Sequence, residues 1–196
     1  MIELYSQYSG LTIEEIGKDP LLQYLKPGFY SDRSIMISKY HLMSPHMLTL
    51  ITNSHYRSCV EYAGGVGLIS EVIKDNSPLI NVTYANIDND EFRFTKWRVN
   101  TTGKDVRLLE LSTFKLNDSY DVIISDGVVQ NFNESIQIDI IENMIDKVNR
   151  NGIICLLIDL SRNNVDIIKL HQVLEQSDMI CIYGKNTYSS IWKKMI

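Results

Sequence analysis

The chain has 196 residues, enough for one domain with a sizeable buried core. Its 44% hydrophobic and 22% charged residues are ordinary for a globular protein. A formal net charge of −5 with no basic block makes nucleic acid a poor partner, because binding to a phosphate backbone is carried by clustered Lys and Arg.

The N-terminal stretch Met1-Ile2-Glu3-Leu4-Tyr5 lacks the charged-then-apolar pattern of an export signal. No apolar run approaches membrane-spanning length, so a cytoplasmic protein with no membrane partner is expected. Residues 1–57 read as helical and irregular. Thr12-Ile13-Glu14-Glu15 fits a capping box. Asp19-Pro20 opens a short helix over Leu21–Leu25, and Pro27-Gly28 closes it. Ser44-Pro45 opens another helix, reaching about Asn53, with Met47, Leu48 and Ile51 on one apolar face.

Cys59-Val60-Glu61-Tyr62 then reads as a short strand ending in an acid. Ala63-Gly64-Gly65-Val66-Gly67 follows as a tight turn, and a helix runs from Gly67 to Lys74. Glycines tolerate positive φ and let the backbone approach a ligand closely. The helix would also point its unpaired N–H groups back into the turn. Open α/β sheets hold nucleotide-like ligands at such a strand–turn–helix unit. Gly65–Ser70 nearly fits the dinucleotide fingerprint G-x-G-x-x-G, with Ser70 in the third glycine place.

The same stretch resembles motif I of the class I S-adenosylmethionine-dependent methyltransferases, acid-hydrophobic-G-x-G-x-G. Glu61 takes the acidic place, and Ala63, Gly65 and Gly67 take the three glycine places, alanine being a departure. An acid at the strand end suits a donor whose sulfonium and amino group are cationic better than it suits an anionic pyrophosphate. The resemblance implies that residues 1–57 form a helical cap over a methyltransferase core at 58–196. Tyr5, Tyr8, Tyr30, Tyr40, His41 and His46 would be the cap's acceptor-facing candidates, each of which also reads as a packing residue.

A strand is expected at Asn81–Ile87, with Asn86 and Asp88 on one face at its carboxyl end. A carboxylate there can accept both ribose hydroxyls of an adenosine. Asp88 is assigned that role in the manner of motif II, with Asn86 as its neighbour or replacement. A helix over Phe92–Arg98 precedes a strand at Val106–Glu110. Glu110 matches the motif III acid that sits near the adenine amino group.

Tyr120-Asp121 followed by an apolar run resembles motif IV, the central strand. Asp121 is read as a cap on the strand start, with Ser125 and Asp126 at the strand's end near the reaction centre. Gln130-Asn131 stands where many relatives carry Glu-His, which removes the most obvious general base. Asp126, His41 and His46 are the remaining base candidates, and Asn131 is assigned to the acceptor.

A helix at Ile136–Val148, a turn at Asn151-Gly152 and a strand at Ile153–Ile158 come next. A helix at Asp166–Gln176 leads to two strands, Met179–Tyr183 and Tyr188–Trp192. The three cysteines, Cys59, Cys155 and Cys181, lie far apart in apolar runs without C-x-x-C spacing, which reads as buried free thiols and no metal site.

The expectation is a Rossmann-like, doubly wound α/β fold. Its seven-stranded sheet is mostly parallel with a C-terminal antiparallel hairpin, and an N-terminal helical cap is added. The resemblance implies methyl transfer from S-adenosylmethionine to a small molecule such as a sugar, a secondary metabolite or a peptide side chain, with S-adenosylhomocysteine as product. A homodimer stays open. A catalytically inactive binding or scaffold protein and a nicotinamide-dependent oxidoreductase are the alternatives.

Overall fold

In a computed structural model, the structure describes residues 2–18, 45–158, 165–185, 187 and 189–195. The expected helix at Leu21–Leu25 and residues Tyr30, Tyr40 and His41 lie outside the described residues, as does the side chain of His46.

Two short helices open the described chain, α1 at Ile2–Ser9 and α2 at Ile13–Lys18. The capping box forms between them: Thr12 N–H donates to Glu15 Oε2 at 2.8 Å, and Glu15 N–H donates to Thr12 Oγ1 at 3.2 Å. Helix α3 follows at Pro45–Thr52 and buries Met47 and Ile51 against the sheet.

The core alternates strand and helix: β1 Ser58–Tyr62, α4 Leu68–Asn76, β2 Asn81–Ile87, α5 Asp90–Thr102 and β3 Arg107–Leu111. It continues with β4 Tyr120–Asp126, α6 Glu134–Lys147, β5 Val148–Leu157, α7 Ile167–Gln176, β6 Met179–Tyr183 and β7 Ser189–Lys194. The strands form one seven-stranded sheet in the order β3-β2-β1-β4-β5-β7-β6. The first five are mutually parallel, and β7 runs antiparallel to both β5 and β6, which is the doubly wound sheet with a terminal hairpin that was expected.

Each face carries its own core. Helices α3, α4 and α5 cover one face, where Ile51, Ile69, Ile73 and Phe92 meet Cys59, Tyr84 and Cys155. Helices α6 and α7 cover the other, where Ile140, Ile141, Met144 and Leu174 meet Val60, Ile123, Ile154 and Trp192. The crossovers change face between β1 and β4. That reversal opens a crevice at the carboxyl ends of these two strands, where open α/β sheets bind ligands.

Two of the departures from expectation have clear local reasons. Helix α5 is longer at both ends, because Asn89 Oδ1 caps it by accepting from Phe92 N–H at 2.8 Å, and Gly103 closes it at φ 65°. Asn151-Gly152 is an irregularity inside β5 and does not separate two elements: Asn151 has φ 63°, and the β4–β5 register shifts between Tyr120 and Val122. Gly152 has no room for a side chain, since a Cβ there would lie 2.6 Å from the carbonyl oxygen of Asp121.

Candidate cofactor site

The turn from β1 to α4 lies at the switch point of the sheet. Ala63, Gly65 and Gly67 have φ of 52°, 57° and 70°, so three left-handed residues alternate through five positions. The turn closes on itself through Gly65 N–H to Ala63 O (2.9 Å) and Gly67 N–H to Gly64 O (3.0 Å), while Ala63 N–H reaches Ala85 O of β2. Ala63 is the strained member, because left-handed backbone costs an L-residue about 1–2 kcal/mol.

Glu61 lies directly beneath this turn and is 1% exposed. Its Oε2 accepts from Ser70 N–H at 2.7 Å and from Ser70 Oγ–H at 2.6 Å. Gly67 offers no side-chain cap, so a strand residue caps the first turn of α4. A Cβ on Gly64 would stand 2.2 Å from Glu61 Oε1, whereas a Cβ on Gly65 would meet nothing within 4 Å among the described residues. One glycine therefore makes room for the carboxylate below, and the other leaves the space above open. Burial raises the Glu61 pKa to about 7, against the two Ser70 hydrogen bonds and with a smaller push from Asp126.

Asp126 ends β4 and is half-buried. Ser125 and Asp126 are successive strand residues and so point to opposite faces. Asp126 takes the face of Glu61. Ser125, in register with Tyr62 and Leu156, takes the other; it is buried, and its Oγ has no hydrogen-bond partner among the described residues.

The remaining predicted residues divide by location. Asn86 is buried at the end of β2; its Nδ2 donates to Tyr84 Oη at 2.9 Å, and its Oδ1 accepts from Ile87 N–H. Asp88 is exposed and held two-pronged by Arg93, Nε to Oδ1 at 2.9 Å and Nη2 to Oδ2 at 3.0 Å. This guanidinium keeps the Asp88 carboxyl below its usual pKa. Glu110 is exposed on the edge strand β3, in register with Asn86. Asn131 is exposed, and its Nδ2 donates to Gly127 O at 2.7 Å.

Tyr5 and Tyr8 on α1 lie against α5. Tyr5 meets Phe94 edge-on with ring centroids 5.0 Å apart, and Tyr8 lies 5.6 Å from Trp97. The structure thus brings Glu61, Ala63, Gly64, Gly65, Gly67 and Asp126 together. It sets Asp88 and Glu110 along the adjoining strand ends and uses Tyr5 and Tyr8 in aromatic packing. His171 is buried between α7 and β7, its Nε2 3.3 Å from Ser190 Oγ. Among the described residues, no group of three or more His, Cys, Asp or Glu could hold a metal ion.

Sequence reasoning placed Ser70 only in the dinucleotide fingerprint, not as the partner of Glu61, and gave Tyr84 and Arg98 no role. Ser70 was legible as a small polar residue one turn into a helix that follows a buried acid.

No protein-family model matches this sequence, and no curated protein matches it. Solved structures do. An O-methyltransferase family protein from Burkholderia thailandensis superposes with a TM-score of 0.60 at 12% identity, over 92% of this chain and 61% of that one. An O-methyltransferase from neocarzinostatin biosynthesis, solved with S-adenosylmethionine and 2-hydroxy-5-methyl naphthoic acid, gives 0.63 at 12% identity, over 97% and 63%. The fold is that of the class I S-adenosylmethionine-dependent methyltransferases. A methyltransferase-like protein from Methanococcus maripaludis is matched over 92% of its own length, with a TM-score of 0.58 at 12% identity. This chain spans less than two thirds of the two O-methyltransferases. The seven-stranded sheet, with its C-terminal antiparallel hairpin, matches that fold.

Proposed function

We propose that this protein binds S-adenosylmethionine at the β1–α4 turn and transfers its methyl group to a small-molecule acceptor, leaving S-adenosylhomocysteine. The observation that carries this reading is the buried Glu61 carboxylate beneath Gly64, with Asp126 on the same face and no described residue within 4 Å of where a Gly65 side chain would start. Two acids at the mouth of the crevice suit a cationic donor. A dinucleotide fits less well: its pyrophosphate needs bare N–H groups at the start of α4, and the Ser70 N–H is already taken by a carboxylate.

When bound, S-adenosylmethionine supplies a methyl group already activated on a sulfonium. The task of this chain is therefore alignment, which lowers a barrier by about 7–11 kcal/mol in favourable cases. Gly64, Gly65 and Gly67 would let the backbone approach the donor, Asp88 would accept from its ribose and Glu110 would lie toward its adenine. Asn86 and Ser125 would line the same end of the sheet. A hydroxyl acceptor needs its proton removed, and Asp126, His41 and His46 are the candidate bases. Residues 1–57 would cap the site, a reading supported by the packing of Tyr5 and Tyr8 on α5, with Asn131 on the acceptor side.

A second reading, a donor-binding protein without catalysis, is favoured by Gln130-Asn131. No imidazole stands there, and the Asn131 amide is engaged with Gly127 O. Titration with S-adenosylhomocysteine, with NADH as control, separates these readings when combined with an assay of label transfer to hydroxyl, amine and thiol acceptors. Micromolar binding of S-adenosylhomocysteine with transfer is the expected result. Binding without transfer to any acceptor would favour the second reading, and tight NADH binding would overturn both.

A further inference from the structure

The turn's peptide planes are held from below by two side chains that no motif assigns. Tyr84, on β2, donates its hydroxyl hydrogen to the carbonyl oxygen of Gly65 and accepts from Asn86 Nδ2 at 2.9 Å. Arg98, on α5, donates from Nη2 to the carbonyl oxygen of Val66 at 2.5 Å and pairs with Glu71 of α4 at 3.0 Å. Two successive carbonyls are thus each fixed by a separate element. A trans peptide is planar, so fixing the Gly65 oxygen turns the Val66 N–H away from Tyr84. Fixing the Val66 oxygen likewise orients the Gly67 N–H, which closes the turn on Gly64 O.

The arrangement is costly, which makes its presence informative. Arg98 is 1% exposed and stands over the Phe94 ring at 5.7 Å. A buried ion pair is often no more stable than well-packed apolar residues of the same volume. Its charge is matched by Glu71, and its geometric effect falls on the turn. Tyr84 also fills the space beside Gly67, where a Cβ would lie 3.1 Å from its ring. The Asn86–Tyr84–Gly65 chain further ties the turn to the end of β2, two residues from Asp88.

We infer that Tyr84 and Arg98 are positioning residues that preorganise the glycine turn for its ligand. The inference rests on the cofactor reading above. Both residues act through backbone they hold, so their loss should weaken binding out of proportion to any change in stability. Tyr84→Phe keeps the ring and removes only the hydroxyl. Arg98→Met is paired with Glu71→Leu so that no unpaired charge is left buried.

The experiment measures S-adenosylhomocysteine affinity by calorimetry, melting temperature, and amide hydrogen exchange at Val66 and Gly67 in ligand-free protein. Tyr84→Phe is expected to bind about fivefold to tenfold more weakly, the usual scale of one hydrogen bond. The double variant should lose more than about tenfold while melting no lower than wild type. Both should exchange faster at the two amides. Wild-type binding with unchanged affinity and exchange in both variants overturns the clamp and leaves the cofactor reading standing. Absence of binding by the wild type overturns the cofactor reading itself, and the clamp's functional role with it.

Discussion

The two ends of the parallel sheet treat their carboxylates in opposite ways. At the amino end, Asp121 of β4 accepts from Arg57 N–H at 2.7 Å and Ser58 N–H at 3.0 Å through one oxygen, and from Asn149 Nδ2 at 2.8 Å through the other. Burial alone would raise its pKa, but these donors outweigh it and the pKa is lowered. Ser58 Oγ accepts in turn from Asp121 N–H at 2.9 Å, and Arg107 pairs with Asp118 nearby. At the carboxyl end, burial outweighs the hydrogen bonds that Glu61 accepts from Ser70 and the Ile69 N–H, and a second acid, Asp126, adds to the upward push. The turn at that end also carries a left-handed alanine. One end is arranged for stability. The other sets two acids on one face beneath a strained turn, which is where a ligand has something to gain.

That contrast can be broken at its tightest contact. Gly64→Ala places a methyl on top of the Glu61 carboxylate. We expect a loss of about 3 kcal/mol in denaturant unfolding, from overpacking at a site with no room to give. S-adenosylhomocysteine binding should be lost in the fraction that still folds. At the other end, Asp121→Ala should cost about 1–2 kcal/mol of unfolding free energy, the value of its charge-assisted hydrogen bonds after screening at a partly exposed site. It should leave donor affinity unchanged.

The two acids also predict opposite pH slopes. The lowered pKa of Asp121 gives stability that is present above its unfolded value, near 3.8, and lost as pH falls through the folded value. The raised pKa of Glu61 means that the folded state holds a proton the unfolded state has released. Its contribution to stability therefore declines as pH rises from 4.5 to about 7 and is flat above. Chemical denaturation across that range should show the decline in ligand-free wild type and its absence in Glu61→Gln; an identical slope in both would remove the electrostatic half of the comparison. The smallest effect is expected at Ala63. Glycine there relieves left-handed strain but adds freedom to the unfolded chain, for a net gain of up to about 1 kcal/mol in unfolding free energy.

Much of this was legible because it is local. A strand, an acid, a glycine-rich turn and an apolar helix announce β1–α4 within a dozen residues, and the capping box at Thr12–Glu15 formed as its spacing requires. Asp121 was read as a strand-start cap, and its hydrogen bonds to Arg57 and Ser58 place it in that role. What stayed hidden depends on distant partners. Tyr84 meets Gly65 nineteen residues away and Arg98 meets Val66 thirty-two away, and no periodicity encodes which carbonyl a buried donor will reach. Asn151-Gly152 misled for a different reason. A left-handed Asn before Gly serves a strand irregularity as readily as a turn, and only the β4 register decides between them.

The measurement that tests the central claim most directly is a crystal structure of the protein grown with S-adenosylhomocysteine. The account predicts density for the ligand along the carboxyl edge of β1 and β2, over Gly64, Gly65 and Gly67, with Glu61 still bound to Ser70 beneath. Ligand density elsewhere on the molecule, or a bare turn at saturating S-adenosylhomocysteine, would contradict it.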